Sequence, residues 1–196
     1  MPDTGERTGT TNNSPGGISS PSNAHDGDDS TSASIVQLDT SISNTFIISG
    51  YAGDDLPAGA TITGIEIRVR AGYATSFAPT QLENVKLSKD GASGTFNNPS
   101  TGVAFQHLSD TITDYTFGSS SETWQHTWSG FTDISNLAVS LQVDQQTISG
   151  TIAVTAINAV AITVHYEIAD VADVTKPGLK INSGKFTIKG GNLTIK

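Results

Sequence analysis

The chain contains no cysteine, which excludes disulfides, thiolate nucleophiles and cysteine-ligated zinc, and leaves the redox compartment unmarked. No apolar run approaches the roughly 20 residues that a membrane-crossing helix needs. The opening Met1-Pro2-Asp3-Thr4-Gly5-Glu6-Arg7 lacks the apolar centre of a signal peptide. A soluble protein made in a cytosol, with no membrane partner, is the expectation. Aromatic residues make up 7% of the chain and charged residues 15%, and nowhere do apolar residues recur at the period of an amphipathic helix.

Thr, Ser, Gly and Asn are abundant instead, the profile of an all-β protein with many turns. At 196 residues the chain suits one domain with tails, large enough to bury a core without metal or disulfide staples. Charge is unevenly placed. All 19 acidic side chains lie at or before Asp173 with only five basic ones, a net −14, whereas Lys176, Lys180, Lys185, Lys189 and Lys196 give the remaining tail +5. An acidic body repels phosphates and argues against nucleic acid as a partner. The tail lysines suit acidic surface on this chain or a neighbour, and equally the protection of exposed strand edges.

Residues 1–32 are mostly Gly, Ser, Thr, Asn, Pro and Asp, with almost nothing apolar except Ile18 and Ala24. Such a segment buries too little to offset its ordering entropy alone and is expected to be a flexible arm, or one ordered only against a partner. The body, residues 33–170, begins with strands at Ser34–Leu38 and Thr45–Ser49. The stretch from about Thr61 to Tyr73 alternates Ile65, Ile67 and Val69 against Glu66, Arg68 and Arg70, one face core and the other wet. A one-residue slip would bury three charges, so the register is fixed. In an acidic body, local ion pairs explain the two arginines more simply than ligand recognition.

Further strands are expected at Gln81–Lys89 with an irregularity near Asn84, at Val103–Gln106, at Thr111–Phe117 and over Leu137–Val143. Thr132–Asn136 reads as a helical turn capped by Thr132. A long final segment, Ile148–Ile168, places Val160, Ile162, Val164 and Tyr166 on one face, with a bulge or break at Asn158. Eight or nine strands at roughly 10-residue spacing make an antiparallel β-sandwich, jelly-roll-like. Beyond it, residues 171–196 form a basic β-repeat tail with a seven-residue period. Its apolar pairs are Leu179 and Ile181, Phe186 and Ile188, and Leu193 and Ile195. Three tiny strands cannot form a core; they must dock on their own sandwich or pair with sister tails.

No catalytic constellation is legible. His25, His107, His126 and His165 are scattered, and only His126, between two tryptophans and four residues from Glu122, has a suggestive setting. The His25-Asp26-Gly27-Asp28-Asp29 cluster lacks the spacing of a calcium loop and reads as a solvated turn. No catalytic residue, metal ligand or cofactor site is expected. Tyr115, Trp124 and Trp128, with Phe117, could form an aromatic platform for a sugar; the alternative is that the tryptophans close one end of the sandwich.

Several segments together resemble a β-sandwich module of tailed-bacteriophage virion proteins. They are Pro57-x-Gly59-Ala60-x-Ile62-x-Gly64-Ile65-Glu66-Ile67-x-Val69, Val85-x-Leu87-x-Lys89-x-Gly91, Trp124 with Trp128, Asp133-Ile134-x-Asn136 before Val139-Ser140-Leu141, and Val160-x-Ile162-x-Val164-x-Tyr166. Ser22-Asn23-Ala24 with Asp26-Gly27 resembles the family's opening segment. Leu137-Ala138 stands where an aromatic-Gly pair is usual, and an aromatic ahead of the opening segment is missing. The resemblance spans about residues 20–168. It implies a non-enzymatic place in a virion assembled in the host cytoplasm without saying which place; the compact domain flanked by two extensions that cannot fold alone points to a capsid decoration or cement protein, self-associating as a homotrimer and binding major capsid or other virion proteins through those extensions. A host-glycan-binding tail or fibre module and a neck or tail structural subunit are the alternatives.

Overall fold

The computed structural model describes residues 2–13, 16–38, 42–51, 56–57, 59–73, 80–102, 105–128, 134–145 and 152–168. Among these the strands are β1 (Asp3–Thr8), β2 (Thr11–Asn12), β3 (Ile18–Ser19), β4 (Ala33–Leu38), β5 (Phe46–Ser49), β6 (Ala60–Tyr73), β7 (Thr80–Ser88), β8 (Gln106–His107), β9 (Thr113–Gly118), β10 (Ala138–Gln145) and β11 (Ile152–Ile168). A short 3-10 turn spans Pro21–Ala24. One sheet runs β3-β4-β11-β6-β9 with β1 also on β11, and the other runs β2-β5-β10-β7-β8. The protein is an all-β antiparallel sandwich.

Its pairing is nested. β4 pairs with β11, β5 with β10, β6 with β9 and β7 with β8, while β11–β6 and β10–β7 close the roll. A long hairpin rolled so that its successive strand pairs fall in alternate sheets is a jelly roll. β6 behaves as its alternation requires: Ile65, Ile67 and Val69 are fully buried, and Arg68 and Arg70 lie on the outer face. Val164, Ile162 and Val160 stand beside these three residues in the same sheet, in register with Ile65, Ile67 and Val69. Both sheets feed one core, with Phe46, Leu82, Leu87, Val139, Leu141 and Val143 among the buried residues of the second.

Two expected irregularities are present. Asn84 has φ 51°, and with Val85 it sits opposite Leu141 alone, between the pairs Glu83 with Gln142 and Lys86 with Ser140. Asn158 is the extra residue between the pairs Ile157 with Ala71 and Ala159 with Arg70. A bulge at each point bends the strand without losing the inward set. Among the described residues β8 is Gln106–His107, where Val103–Gln106 is expected and residues 103 and 104 lie outside those described, and β9 begins at Thr113. The start of the Thr132–Asn136 turn and residues 148–151 lie outside the described residues.

The expected flexible arm over residues 1–32 needs correction. β1 lies antiparallel on β11, with Arg7 opposite Ile162 and Thr8 opposite Ala161; β2 lies on β5 and β3 on β4. The segment thus passes from one sheet to the other and back. Its polar composition was read correctly for side chains, since Ala24 and Ala33 are the apolar groups that it and its exit bury completely. It is held by backbone hydrogen bonds to strand edges, such as Thr10 N–H to the Ser49 carbonyl at 2.9 Å, and hydropathy carries no signal of those. The tail from 169 to 196, with Leu179, Ile181, Phe186, Ile188, Leu193 and Ile195, lies outside the described residues.

Candidate functional site

The tryptophan-bearing loop is built where β9 ends. Gly118 has φ +80°, and a Cβ there would lie 2.4 Å from the Ile65 carbonyl oxygen, so only glycine lets the chain leave β9 against β6. The turn that follows lies directly over Gly64, whose added Cβ would meet the backbone of Ser119–Ser121 at 2.4 to 2.5 Å. Ile65 N–H then donates to the Glu122 carbonyl at 2.9 Å. Trp124, with φ 55°, turns inward, is fully buried, and donates its indole N–H to the Ile65 carbonyl at 2.8 Å.

Glu122 is buried but not unpaired. Its carboxylate accepts the N–H groups of Ser100 and Thr101, each at 2.9 Å, the Thr101 hydroxyl at 3.0 Å and Trp124 N–H at 2.6 Å. Burial raises its pKa, but the donors, led by the Ser100 and Thr101 amides, outweigh that and hold it at about 2. A carboxylate so saturated is an anchor for the 100–101 segment, not a proton acceptor in catalysis.

His126 is engaged on both sides. Its Nε2 lies 3.0 Å from the Leu87 carbonyl, which only accepts, so Nε2 carries the proton. Nδ1 faces the Asn97 amide at 3.4 Å, and the ring packs edge-on to Trp128 with centroids 5.5 Å apart. His126 and Glu122 therefore form no acid–base pair. His25 meets the Asn12 amide at 2.9 Å, and Asp26 and Asp28 cap their own turn through Thr31 and Ser30, the solvated turn read from sequence. No cluster of three metal-ligating side chains exists among the described residues.

The expected glycan platform of Tyr115, Trp124 and Trp128 is not assembled. Trp124 has no accessible face to stack on a sugar. Tyr115 is half-buried with its hydroxyl accepting Ser109 N–H at 2.6 Å, and Trp128 is half-buried with its indole N–H on the Thr123 carbonyl at 3.1 Å. The closing of one end of the sandwich accounts for all three.

On the outer face, Arg68 binds Asp114 at 2.8 Å and Glu6 through two nitrogens, one of them at 2.8 Å, and approaches Asp29 at 3.4 Å; Arg70 binds Asp114 at 3.1 Å. The Glu6 hydrogen bond leads in pushing the Arg68 guanidinium pKa up. The cluster ties β1, the acidic turn, β6 and β9 together, and this pairing of the β6 arginines matches the sequence reading.

Each sheet ends in an edge strand on both sides of the sandwich, β3 and β2 on one and β9 and β8 on the other. On one, β2 and β3 pair with β5 and β4. On the other, β9 pairs with β6 alone among the described residues. A cleft of about 270 Å3 opens there between the sheets, lined by Thr101, Gly102, Gln106, Thr116, Phe117 and Ser119. Sequence reasoning missed this edge because Thr111–Phe117 reads as any short strand; its place at the margin is set by topology.

No family model and no curated protein matches the chain. A solved structure described as "CBM4 structure and function" aligns over 82% of this chain and 95% of its own, with 14% identity and a TM-score of 0.38. A likeness that weak supports nothing that follows.

Proposed function

We propose that the chain is a non-enzymatic structural subunit of a tailed-phage virion, a capsid decoration or cement-type protein. It associates as a homotrimer and contacts major capsid or other virion proteins. The observation that carries this reading is the outer edge of β9, which pairs with β6 alone among the described residues, because an open strand edge is a template for adding another strand. The N-terminal segment is built into the sheets, which moves the contact role from two extensions to the C-terminal repeats. Burial of Trp124 weakens the glycan-binding alternative, whose platform depended on it.

Removal of residues 176–196 is expected to abolish oligomerisation, read by light scattering, and co-sedimentation with particles. A truncated, folded protein that still assembles and binds normally overturns the reading.

A further inference from the structure

Among the described residues the outer side of β9 is unpaired, and its chemistry is unusual for a free edge. Thr113-Asp114-Tyr115-Thr116-Phe117-Gly118 contains neither lysine nor proline, the residues that blunt exposed edges. It is six residues long, and the cleft floored by Phe117 opens beside it. A strand added there would send every second side chain toward that cleft.

The chain carries a segment of matching pattern. Leu179-Lys180-Ile181 has apolar residues two apart with a cation between them, follows Pro177-Gly178, and belongs to a tail of +5 joined to a body of −14. It can reach. Ile168 pairs with Ala60 and Gly118 with Glu66, both on β6. At ~3.3 Å per residue and ~4.8 Å per strand, the ends of β11 and β9 are about 22 Å apart. Residues 169–178 cover up to about 33 Å when extended. Direction also fits: β11 and β9 both run antiparallel to β6, so a chain that leaves β11 and turns back lies antiparallel to β9.

We propose that Leu179–Ile181 docks on its own β9 as an added antiparallel strand, Leu179 opposite Phe117 and Ile181 opposite Tyr115, with the Leu179 side chain in the cleft. Lys180 then lies opposite exposed Thr116, on the face that carries Asp114. The short tether raises the effective concentration of the segment and favours its own body over a neighbour's. This inference bears on the assembly reading, since both use the β9 edge: a tail docked at home leaves assembly to the later repeats around Phe186, Ile188, Leu193 and Ile195, and the crosslink tests the docking while light scattering tests the assembly.

The chain has no cysteine, so Thr116→Cys with Lys180→Cys creates a single thiol pair. In the full chain a short bis-maleimide is expected to link it within one molecule, giving a faster-migrating species of monomer mass. In parallel, the β9 amides of the unsubstituted full chain should exchange at least tenfold more slowly than those of Leu179→Asp/Ile181→Asp. Linked dimers, unlinked monomers, or β9 exchange unchanged by the two aspartates overturn the proposal.

Discussion

The indole of Trp124 donates to the backbone carbonyl of Ile65 at 2.8 Å, joining the loop after β9 to the middle of the strand that β9 itself pairs with. Trp124→Phe keeps most of the buried ring but leaves the Ile65 carbonyl without this donor, a loss of about 1–3 kcal/mol. Trp124→Ala adds a cavity and should cost about 3–5 kcal/mol. Denaturant unfolding measures both. Equal stability of Trp124→Ala and the parent chain would contradict a core role.

Acid should unlock the Glu122 anchor. Its folded pKa of about 2 lies below the ordinary 4.5, so its contribution is complete above the unfolded value and is lost as pH falls from there toward 2. The span corresponds to an order of 3 kcal/mol. Glu122→Gln, which cannot ionise and turns an acceptor into a donor facing other donors, should be less stable at pH 7 and show a shallower stability loss between pH 5 and 2.

Much of this was legible in the residues, and the reasons for the rest are physical. Period-two alternation located β6, β10 and the inward set of β11 because a buried face must be apolar. Asn84 and Asn158 announced their bulges by interrupting that period. The pairing of β1 with β11 left no such mark, since Asp3–Thr8 is held by backbone groups that every residue carries. The Trp124–Glu122 anchor was half visible: two tryptophans signalled a buried cluster, but the partners of Glu122, Ser100 and Thr101, are some 20 residues away and polar like any loop.

Replacing Arg68 by methionine leaves Glu6, Asp29 and Asp114 without their shared cation. Exposed pairs contribute little singly, so global stability should fall by about 1 kcal/mol or less. The effect should concentrate at β1, whose amides should exchange several-fold faster. In the parent protein, 1 M salt should move β1 exchange in the same direction by screening.

Gly64→Ala tests the close approach of the 119–121 turn. A methyl group 2.4 to 2.5 Å from backbone atoms forces the turn off β6, and a loss of about 1–3 kcal/mol is expected. Tryptophan fluorescence should shift to the red as Trp124 loosens. An unchanged spectrum with unchanged stability would refute the packing described.

The nested strand order sets when this protein becomes a protein. β11 holds β1, β4 and β6 at once, so β1, made early, waits for β11. A ribosome must release almost the whole body before either sheet can close. Folding is then a late event dominated by distant contacts, on the millisecond-to-second scale of such topologies. Until then the chain presents one edge each of β6 and β7 unpaired, those that take β11 and β10, and the interval between synthesis and closure is when it most needs protection from aggregation.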